Sequence, residues 1–563
     1  MTTDPTGPDG APPETVGTSE VPDLRTLPVQ ARTPADWRTV DRRLRVLVPL
    51  SVLLSLWYFV WLLRPERVGN PVLYGLLVAA ELFNLFQAIG FWWTCWHGRG
   101  RPDAPVVRGA MPDVDVLIPV YNEPVDVVEP TVASAVRLRG GRVVVHLLDD
   151  AGRPELEELA ARHGARYVHR PEHTGAKAGN LNYALERTSA PFVAVFDCDH
   201  VPAPAFLEET MGWMDDPGVA FVQTPQHYAN DHVDRLTAAA ASQQALFFGG
   251  IARGKDGLGA MFCCGTNFVF RRAALDEAGG FPEHSLTEDF ELSLRLHERG
   301  WRSVYVNKVL AQGLGPEDMR SYVSQQQRWA RGCLSAIPAI IASDLPARLR
   351  MQYLFSSLFF LSGWTFALYM TIPAIRIFTG AQPLDSATAA QFLLHFAPYF
   401  CVSLVAVAVA GAGAYTFDAF ALLIANFWIQ IVATVFVVLR RTGTFVVTAK
   451  RGATGPQPGA VLPALAMIGL LLAASCYGLS QGLSAAIANN VAFALLHVTV
   501  LTIGIWSALV GHRPVVRHPL PEPQEVPAIE TGAPSVADVA VAGPAVAGRD
   551  DDGQPAGAPG GLR

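Results

Sequence analysis

The chain has 563 residues, 43 Lys+Arg against 50 Asp+Glu for a net charge of −7, and 50% hydrophobic residues. Charged residues are only 17%, under the roughly 25% of soluble domains, and mean hydropathy is +0.25. These values exclude a wholly disordered chain and a basic nucleic-acid binder, and they point to a membrane protein with more than one structural unit.

Residues 1–36 are rich in Pro, Thr, Gly and Asp and lack the basic start and apolar core of a signal peptide, so they are read as a disordered tail. A bilayer-spanning helix needs about 20 mainly apolar residues. Leu44–Leu63 and Pro71–Trp93 meet this and form the first membrane pair, within 44–93.

The stretch 103–345 is soluble in composition. Apolar runs at Val114–Ile118, Val143–Leu148, Phe192–Phe196 and Val219–Gln223 are separated or flanked by helical patterns near 125–138, 154–163, 176–187 and 205–215. This predicts an α/β unit with a mostly parallel sheet, whose ligands bind at the carboxyl ends of the strands. Three runs end in polar groups: Tyr121-Asn122-Glu123, Asp149-Asp150, and Asp197-Cys198-Asp199-His200. Asp-x-Asp at a strand end supplies hard oxygens for Mg²⁺ or Mn²⁺, and no cationic residue lies between the two acids in the sequence. Lys177 lies at a helix start, where a cation and free N–H groups can hold phosphate. Ser285 and Glu288 have the spacing of a capping box, and Asp289 follows in the first helical turn. Gln325, Arg328 and Trp329 share one helix face, a polar and aromatic platform suited to a sugar ring. The seven cysteines show neither zinc-ribbon nor disulfide spacing, which suits a reducing setting.

A second membrane pair, within 349–412, comprises Tyr353–Phe378 and Ala389–Ala412. Phe417–Leu439 is also apolar but carries Asp418, Asn426 and Gln430; it is read as interfacial within 417–460, since six spans return both ends to one side. Val461–Ser480 and Asn490–Val510 form the third pair, within 461–510. The tail 514–563 is again read as disordered. Arg42, Arg43, Arg45, Arg99, Arg101, Arg440, Arg441 and Lys450 flank the spans on one side, whereas 379–388 and 481–489 have no Lys or Arg and only the first connection, with Arg64 and Arg67, departs from the pattern. The positive-inside rule then places both termini and the central domain in the cytoplasm of a plasma-membrane protein.

Taken in order, these motifs resemble the processive, membrane-embedded family 2 glycosyltransferases, in particular bacterial cellulose synthase catalytic subunits. The set comprises Tyr121-Asn-Glu123, Asp149-Asp150, Lys177-Ala-Gly-Asn180, Asp197-Cys-Asp199-His200, Gln223-Thr-Pro225, Phe262-Cys-Cys264-Gly265, Thr287-Glu-Asp289 and Gln325-x-x-Arg328-Trp329. Phe445-Val-Val447-Thr448-Ala-Lys450 is similar to that family's gating loop. The resemblance covers about 40–510 and implies a glycosyltransferase A-type cytosolic domain inserted in an α-helical membrane domain of about six spans. It implies that Tyr121, Glu123 and Asp149 or Asp150 hold the uridine, and that Lys177 meets the donor diphosphate. Asp197, Asp199 and His200 would organise Mg²⁺ or Mn²⁺, and Asp289 would be the general base. Cys264 and Trp329 would border the acceptor, Gln325 and Arg328 would hold the donor, and Phe445, Val447, Thr448 and Lys450 would close over it.

The implied function is polymerisation of a cellulose-like β-glucan from UDP-glucose with export of the chain. The implied partners are the UDP-sugar, the growing polysaccharide, the lipid bilayer and accessory export or modifying subunits. Alternatives are another β-linked polymer (β-1,3-glucan, mannan, chitin or hyaluronan) or a nucleotide-sugar-binding transporter or scaffold. The sequence departs from the family pattern at Thr266, where Ser is usual, in its two leading spans, where some relatives have four, and at its end. Arg513-Pro-Val-Val-Arg517 matches half of a cyclic-di-GMP signature, but the 46 residues after it are too few for the PilZ barrel, so binding of that nucleotide is not expected.

Overall fold

The computed structural model describes residues 36–98, 100–107, 109, 111–441 and 455–511. The expected tails, apart from Asp36, and the Phe445–Lys450 segment lie outside the described residues. The central domain is built on seven strands: β1 (Asp113–Val120), β2 (Arg142–Asp149), β3 (Arg166–His169), β4 (Phe192–Val195), β6 (Val219–Gln223), β7 (Phe268–Arg271) and β8 (Arg302–Tyr305). A small ladder pairs β5 (Val201–Pro202) with β9 (Ala311–Gln312). The main sheet has the order β3-β2-β1-β4-β7-β6-β8; β7 runs antiparallel to both neighbours and the other pairs are parallel.

The alternation of strand residues divides the core between the two faces of the sheet. Val116, Ile118 and Phe196 pack on one side with Phe206 and Leu207. Leu117, Val193, Phe268 and Phe270 pack on the other, under Leu181 and Leu292. The buried strands β1, β2, β4 and β6 fall where apolar runs predict them. The short strands β3, β7 and β8 are additional: each has four residues and is flanked or ended by arginine, which leaves too little pattern to read. Helices at Val125–Ala135, Pro154–His163 and Ala176–Leu185 match expectation. The helix expected near 205–215 is instead a run of turns ending in a 3₁₀ helix, Met211–Asp215. Gly212 there lies against the Pro105 backbone, where a Cβ would overlap the carbonyl, and Pro217 closes the segment, so no uninterrupted helical run remains.

Among the described residues, six helices are long and apolar enough to cross a membrane: Trp37–Leu62, Pro71–Trp96, Ala347–Thr379, Ala389–Ala410, Pro458–Ser480 and Ala485–Gly504. The last begins five residues before the expected Asn490, because Ser484 caps it by accepting the Ile487 N–H. Phe417–Ala425 and Phe427–Val438 form a pair bent by 41° at Asn426. Asn426 donates to the Tyr322 hydroxyl (3.0 Å), and Asp418 pairs with Arg235 (2.7 Å), so this pair is bonded to elements of the central region.

Candidate active site

The carboxyl ends of β2, β1 and β4 lie side by side, which brings Asp149-Asp150, Tyr121–Glu123 and Asp197–His200 to one edge. Asp149 is fully buried. Its carboxylate accepts the N–H of Ala151 (3.1 Å) and of Arg153 (2.6 Å) and the hydroxyl of Tyr167 (2.9 Å). Burial first, and then this anion, hold the Tyr167 phenol well above its usual pKa. Asp150 is bound by both nitrogens of one guanidinium edge, Arg170 Nε at 2.5 Å and Nη2 at 2.8 Å. Arg170 also donates to the carbonyls of Thr174 (2.5 Å) and Ala176 (2.9 Å). It thereby shapes the turn at Gly175 (φ +72°) and Ala176 (φ +46°) that presents Lys177. Tyr121 is exposed, and its N–H is accepted by the Glu123 carboxylate at 2.9 Å.

Lys177 Nζ donates to the Asp197 carboxylate and to the Gly265 carbonyl (2.7 Å). The fold thus places a cation on the acid pair, although none lies between the acids in the sequence. Burial disfavours the ammonium, but Asp197, Glu288 and Asp289 outweigh burial and hold its pKa above the usual value. Asp199 is fully buried; it accepts the Leu314 N–H at 3.3 Å and lies 3.2 Å from His200 Nδ1. His200 Nε2 is buried without a hydrogen-bond partner. Ligating atoms of Asp197, Asp199 and His200 lie within 4.8 Å of one another. Two carboxylates and an imidazole with an orphaned ring nitrogen fit a divalent cation such as Mn²⁺ or Mg²⁺.

Across the pocket, the loop 262–267 is fixed from below by Gln223, buried at the end of β6. Its amide donates to the Thr224 and Thr266 carbonyls (both 2.8 Å) and accepts the Cys264 N–H (2.9 Å). Gly265 has φ +83°, and a Cβ there would sit 3.2 Å from an Asp289 oxygen, so the loop backbone lies directly on that carboxylate. Asp289 accepts the Phe290 N–H at 2.8 Å, and its main-chain carbonyl accepts the Ser293 hydroxyl (2.7 Å), which in turn accepts the Cys263 N–H (2.8 Å). Burial, and then the charge of Glu288, push the Asp289 pKa up to about 7, against the Phe290 bond and the positive charges of Lys177 and Arg328.

The expected Ser285–Glu288 capping box does not form. The helix starts at Glu288 with Thr287 as its N-cap residue, and the Ser285 hydroxyl accepts the Thr287 N–H at 3.3 Å. Ser285 thus lies two residues before the N-cap position, too far from the helix to cap it, and Glu288 instead lines a recess of about 220 Å³ with Lys177, Glu283 and His284. The helix Met319–Ser335 carries Gln325, Arg328 and Trp329, all partly buried. Gly332 on that helix touches Thr287, where a Cβ would overlap the side chain, so this helix abuts the turn that holds Asp289.

The structure therefore gathers Lys177, Asp197, Asp199, His200, Cys264, Asp289 and Arg328 into one neighbourhood. Asp149 and Asp150 stand at its edge with their carboxylates engaged by the protein. Phe445, Val447, Thr448 and Lys450 lie outside the described residues. Arg170 and Ser293, which shape the site, have no marker in the sequence. Gln223 is marked by its place at the end of an apolar run and by the Gln223-Thr-Pro225 motif.

The mixed sheet and the acidic residues at its strand ends have the layout of a glycosyltransferase A-type fold. The family described as "Glycosyl transferase family group 2" matches residues 192–437. Cellulose synthase 1 catalytic subunit [UDP-forming] of Komagataeibacter xylinus is 32% identical over 77% of this chain and 62% of its own length. The cellulose synthase catalytic subunit [UDP-forming] of Xanthomonas axonopodis pv. citri is 36% identical over 56% of this chain and 46% of its own length. Cellulose synthase 1 of Komagataeibacter xylinus is 35% identical over 62% of this chain, which spans 24% of that protein. The chain thus covers less than two thirds of these relatives. Among solved structures, a mannosyltransferase from Pyrobaculum calidifontis in complex with GDP-Man and Mn²⁺ is similar over 66% of this chain and all of its own, at 18% identity and a TM-score of 0.46. The chain thus carries a match to glycosyltransferase family group 2 over residues 192–437 and is homologous to bacterial cellulose synthase catalytic subunits over most of its length.

Proposed function

We propose that the protein is a membrane-embedded, processive, inverting glycosyltransferase that builds a cellulose-like β-glucan from UDP-glucose and passes it across the membrane. The observation that carries this reading is Asp289. It is a carboxylate poised near neutral pH, pressed between the Cys264–Gly265 loop and the Gln325–Trp329 helix, and close to the Lys177–Asp197 pair.

In this reading Asp289 takes the proton of the acceptor hydroxyl as that oxygen attacks the anomeric carbon; a direct displacement converts an α-linked donor to a β-linkage. Tyr121 and Glu123 sit where the uridine would lie, and Asp149 and Asp150 stiffen that wall. Lys177 and Arg328 hold the donor diphosphate. Asp197, Asp199 and His200 would hold a divalent cation, which when bound offsets negative charge on the departing diphosphate. Cys264 and Trp329 orient the acceptor, and Gln325 joins Arg328 on the donor. The placement of Lys and Arg supports a cytoplasmic catalytic domain.

The test is to reconstitute the protein in vesicles, offer UDP-glucose, UDP-N-acetylglucosamine and GDP-mannose separately, and analyse nucleotide release and product linkage. UDP release with a β-1,4-linked polymer only from UDP-glucose is expected. A different sugar or linkage would move the function within polysaccharide synthases, and no nucleotide release from any donor would leave only a binding protein.

A further inference from the structure

Lys255 lies on the helix Ala252–Gly257, directly after a π-helical turn at Phe247–Ile251, and is 3% exposed. A buried ammonium normally faces a carboxylate. Here its hydrogen bonds run to one neutral residue, the Gln352 main-chain carbonyl (2.9 Å) and its side-chain carbonyl (3.3 Å). The ammonium also stands 5.3 Å from the centre of the Phe262 ring, within cation–π range. Burial pushes its pKa down to about 7, and the nearby thiols of Cys264 and Cys333 act the other way. Stability alone does not call for a charge at this place; a methionine of equal length would fill it.

The surrounding contacts show what the ammonium joins. Gln352 lies in the first turns of the membrane helix Ala347–Thr379. The Thr94 hydroxyl, near the end of the membrane helix Pro71–Trp96, is shared between Gln352 Oε1 (3.0 Å) and the Gly90 carbonyl (2.7 Å). Gly254, beside Lys255, lies on the Thr94 backbone so closely that a Cβ would overlap it. On the other side, Phe262 opens the loop that rests on Asp289, and its ring packs edge-on to Phe290 at 4.9 Å. One ammonium thus joins the ends of two membrane helices to the loop beside the base.

We infer that Lys255 is a positioning residue: through Gln352 and Phe262 it fixes the loop 262–265 to the membrane helices and keeps the end of the growing chain in register between successive transfers. This rests on the polymerase reading above. Because Lys255 touches neither donor nor base, its loss shortens the product and leaves single transfers intact.

The experiment uses the full chain in vesicles with UDP-glucose, and measures UDP release and product length together for wild type, Lys255→Met, Gln352→Met and the double variant. Losing hydrogen bonds from a charged donor weakens retention by about tenfold, so Lys255→Met should release UDP near the wild-type rate but give chains about tenfold shorter. Gln352→Met should also shorten them, and the double variant should be no shorter than Lys255→Met, since both changes break one contact. Wild-type lengths in the single variants, length losses that add in the double, or a parallel fall in UDP release and length would overturn the inference. If Lys255→Met does not insert, Gln352→Met decides alone by the same length criterion. If the wild type releases UDP without making polymer, it is the polymerase reading that fails, and the inference with it.

Discussion

Asp150, just after β2, and Asp289, in the first turn of the helix Glu288–Glu298, both bear on Lys177, the first through Arg170 and the turn it holds, the second through its charge. Asp150 has both oxygens on the Arg170 guanidinium, at 2.5 and 2.8 Å. Asp289 accepts a main-chain N–H, lies beside Glu288, and has its pKa pushed up to about 7 by burial and that neighbour. One carboxylate is clamped by a guanidinium that shapes the Lys177 turn; the other is poised to exchange a proton. With Asp289 as the proposed base, the two carboxylates would divide the work between holding and reacting, and this division can be broken experimentally.

The largest effect is expected at the metal triad. Asp199→Ala, or excess EDTA with the wild type, should abolish transfer, and Mn²⁺ or Mg²⁺ should restore only the EDTA-treated wild type. Full activity in EDTA would mean that Lys177 alone neutralises the donor. Next comes Asp289→Asn, which keeps the shape of the side chain but cannot accept a proton. Transfer should fall by about 10²–10⁴-fold, with UDP-glucose binding unchanged by calorimetry. Wild-type transfer should rise with pH through about 7 as Asp289 ionises. The stability effect has the opposite sense. The folded value is raised from 3.8 to about 7, so the unfolded chain loses its proton first. The aspartate therefore lowers stability progressively over that window, and the level is constant above it. Asp289→Asn should melt higher than wild type by a margin that grows from pH 4 to pH 7. An inactive variant with no such margin would have lost its fold and not its base.

Arg170→Met tests the holding carboxylate. It strands a buried Asp150 and frees the carbonyls of Thr174 and Ala176. Removing one partner of a buried pair costs about 3–5 kcal/mol, so a clear drop in melting temperature is expected, with a raised KM for UDP-glucose as the Lys177 turn loosens. A normal melting temperature would return Asp150 to the role of a free ligand for the uridine.

The division between the two carboxylates was only half legible in the sequence. Strands β1, β2, β4 and β6 stand out because they are buried on both faces and read as apolar runs. The acidic residues that follow β2 and β4 are found by counting past those runs. What the acids bind is not visible in the same way. Arg170 is twenty positions from Asp150, and nothing in its neighbours marks it as buried. Lys177 is equally far from Asp197 and reaches it only because α/β crossovers bring successive strand ends together. Asp289 is a motif residue, but its raised pKa depends first on burial, a tertiary fact, and only then on the charge of its sequence neighbour Glu288. The β3, β7 and β8 strands, at four residues each, gave no period to count.

The smallest effect is expected at Ser285, where a local rule and the tertiary structure disagree. Ser-x-x-Glu predicts that Ser285 caps the helix, and losing an N-cap serine costs about 1 kcal/mol. In the structure the helix begins later, at Glu288, and the Ser285 hydroxyl makes one long bond of 3.3 Å to the Thr287 N–H in a partly exposed turn. Glu288 faces the recess shared with Lys177, so it cannot also reach back to complete a box. The turn is instead fixed by Gly332 pressing on Thr287 and by Ser293 bridging Asp289 to Cys263. Ser285→Ala should therefore change stability by less than about 0.5 kcal/mol and leave transfer near wild type. Ser293→Ala, which removes two bonds under the base, should slow transfer severalfold at unchanged KM for the donor. If Ser285→Ala instead costs as much as a true cap, the helix starts earlier in solution, and Asp289 sits about half a turn deeper in it than the geometry of the pocket requires.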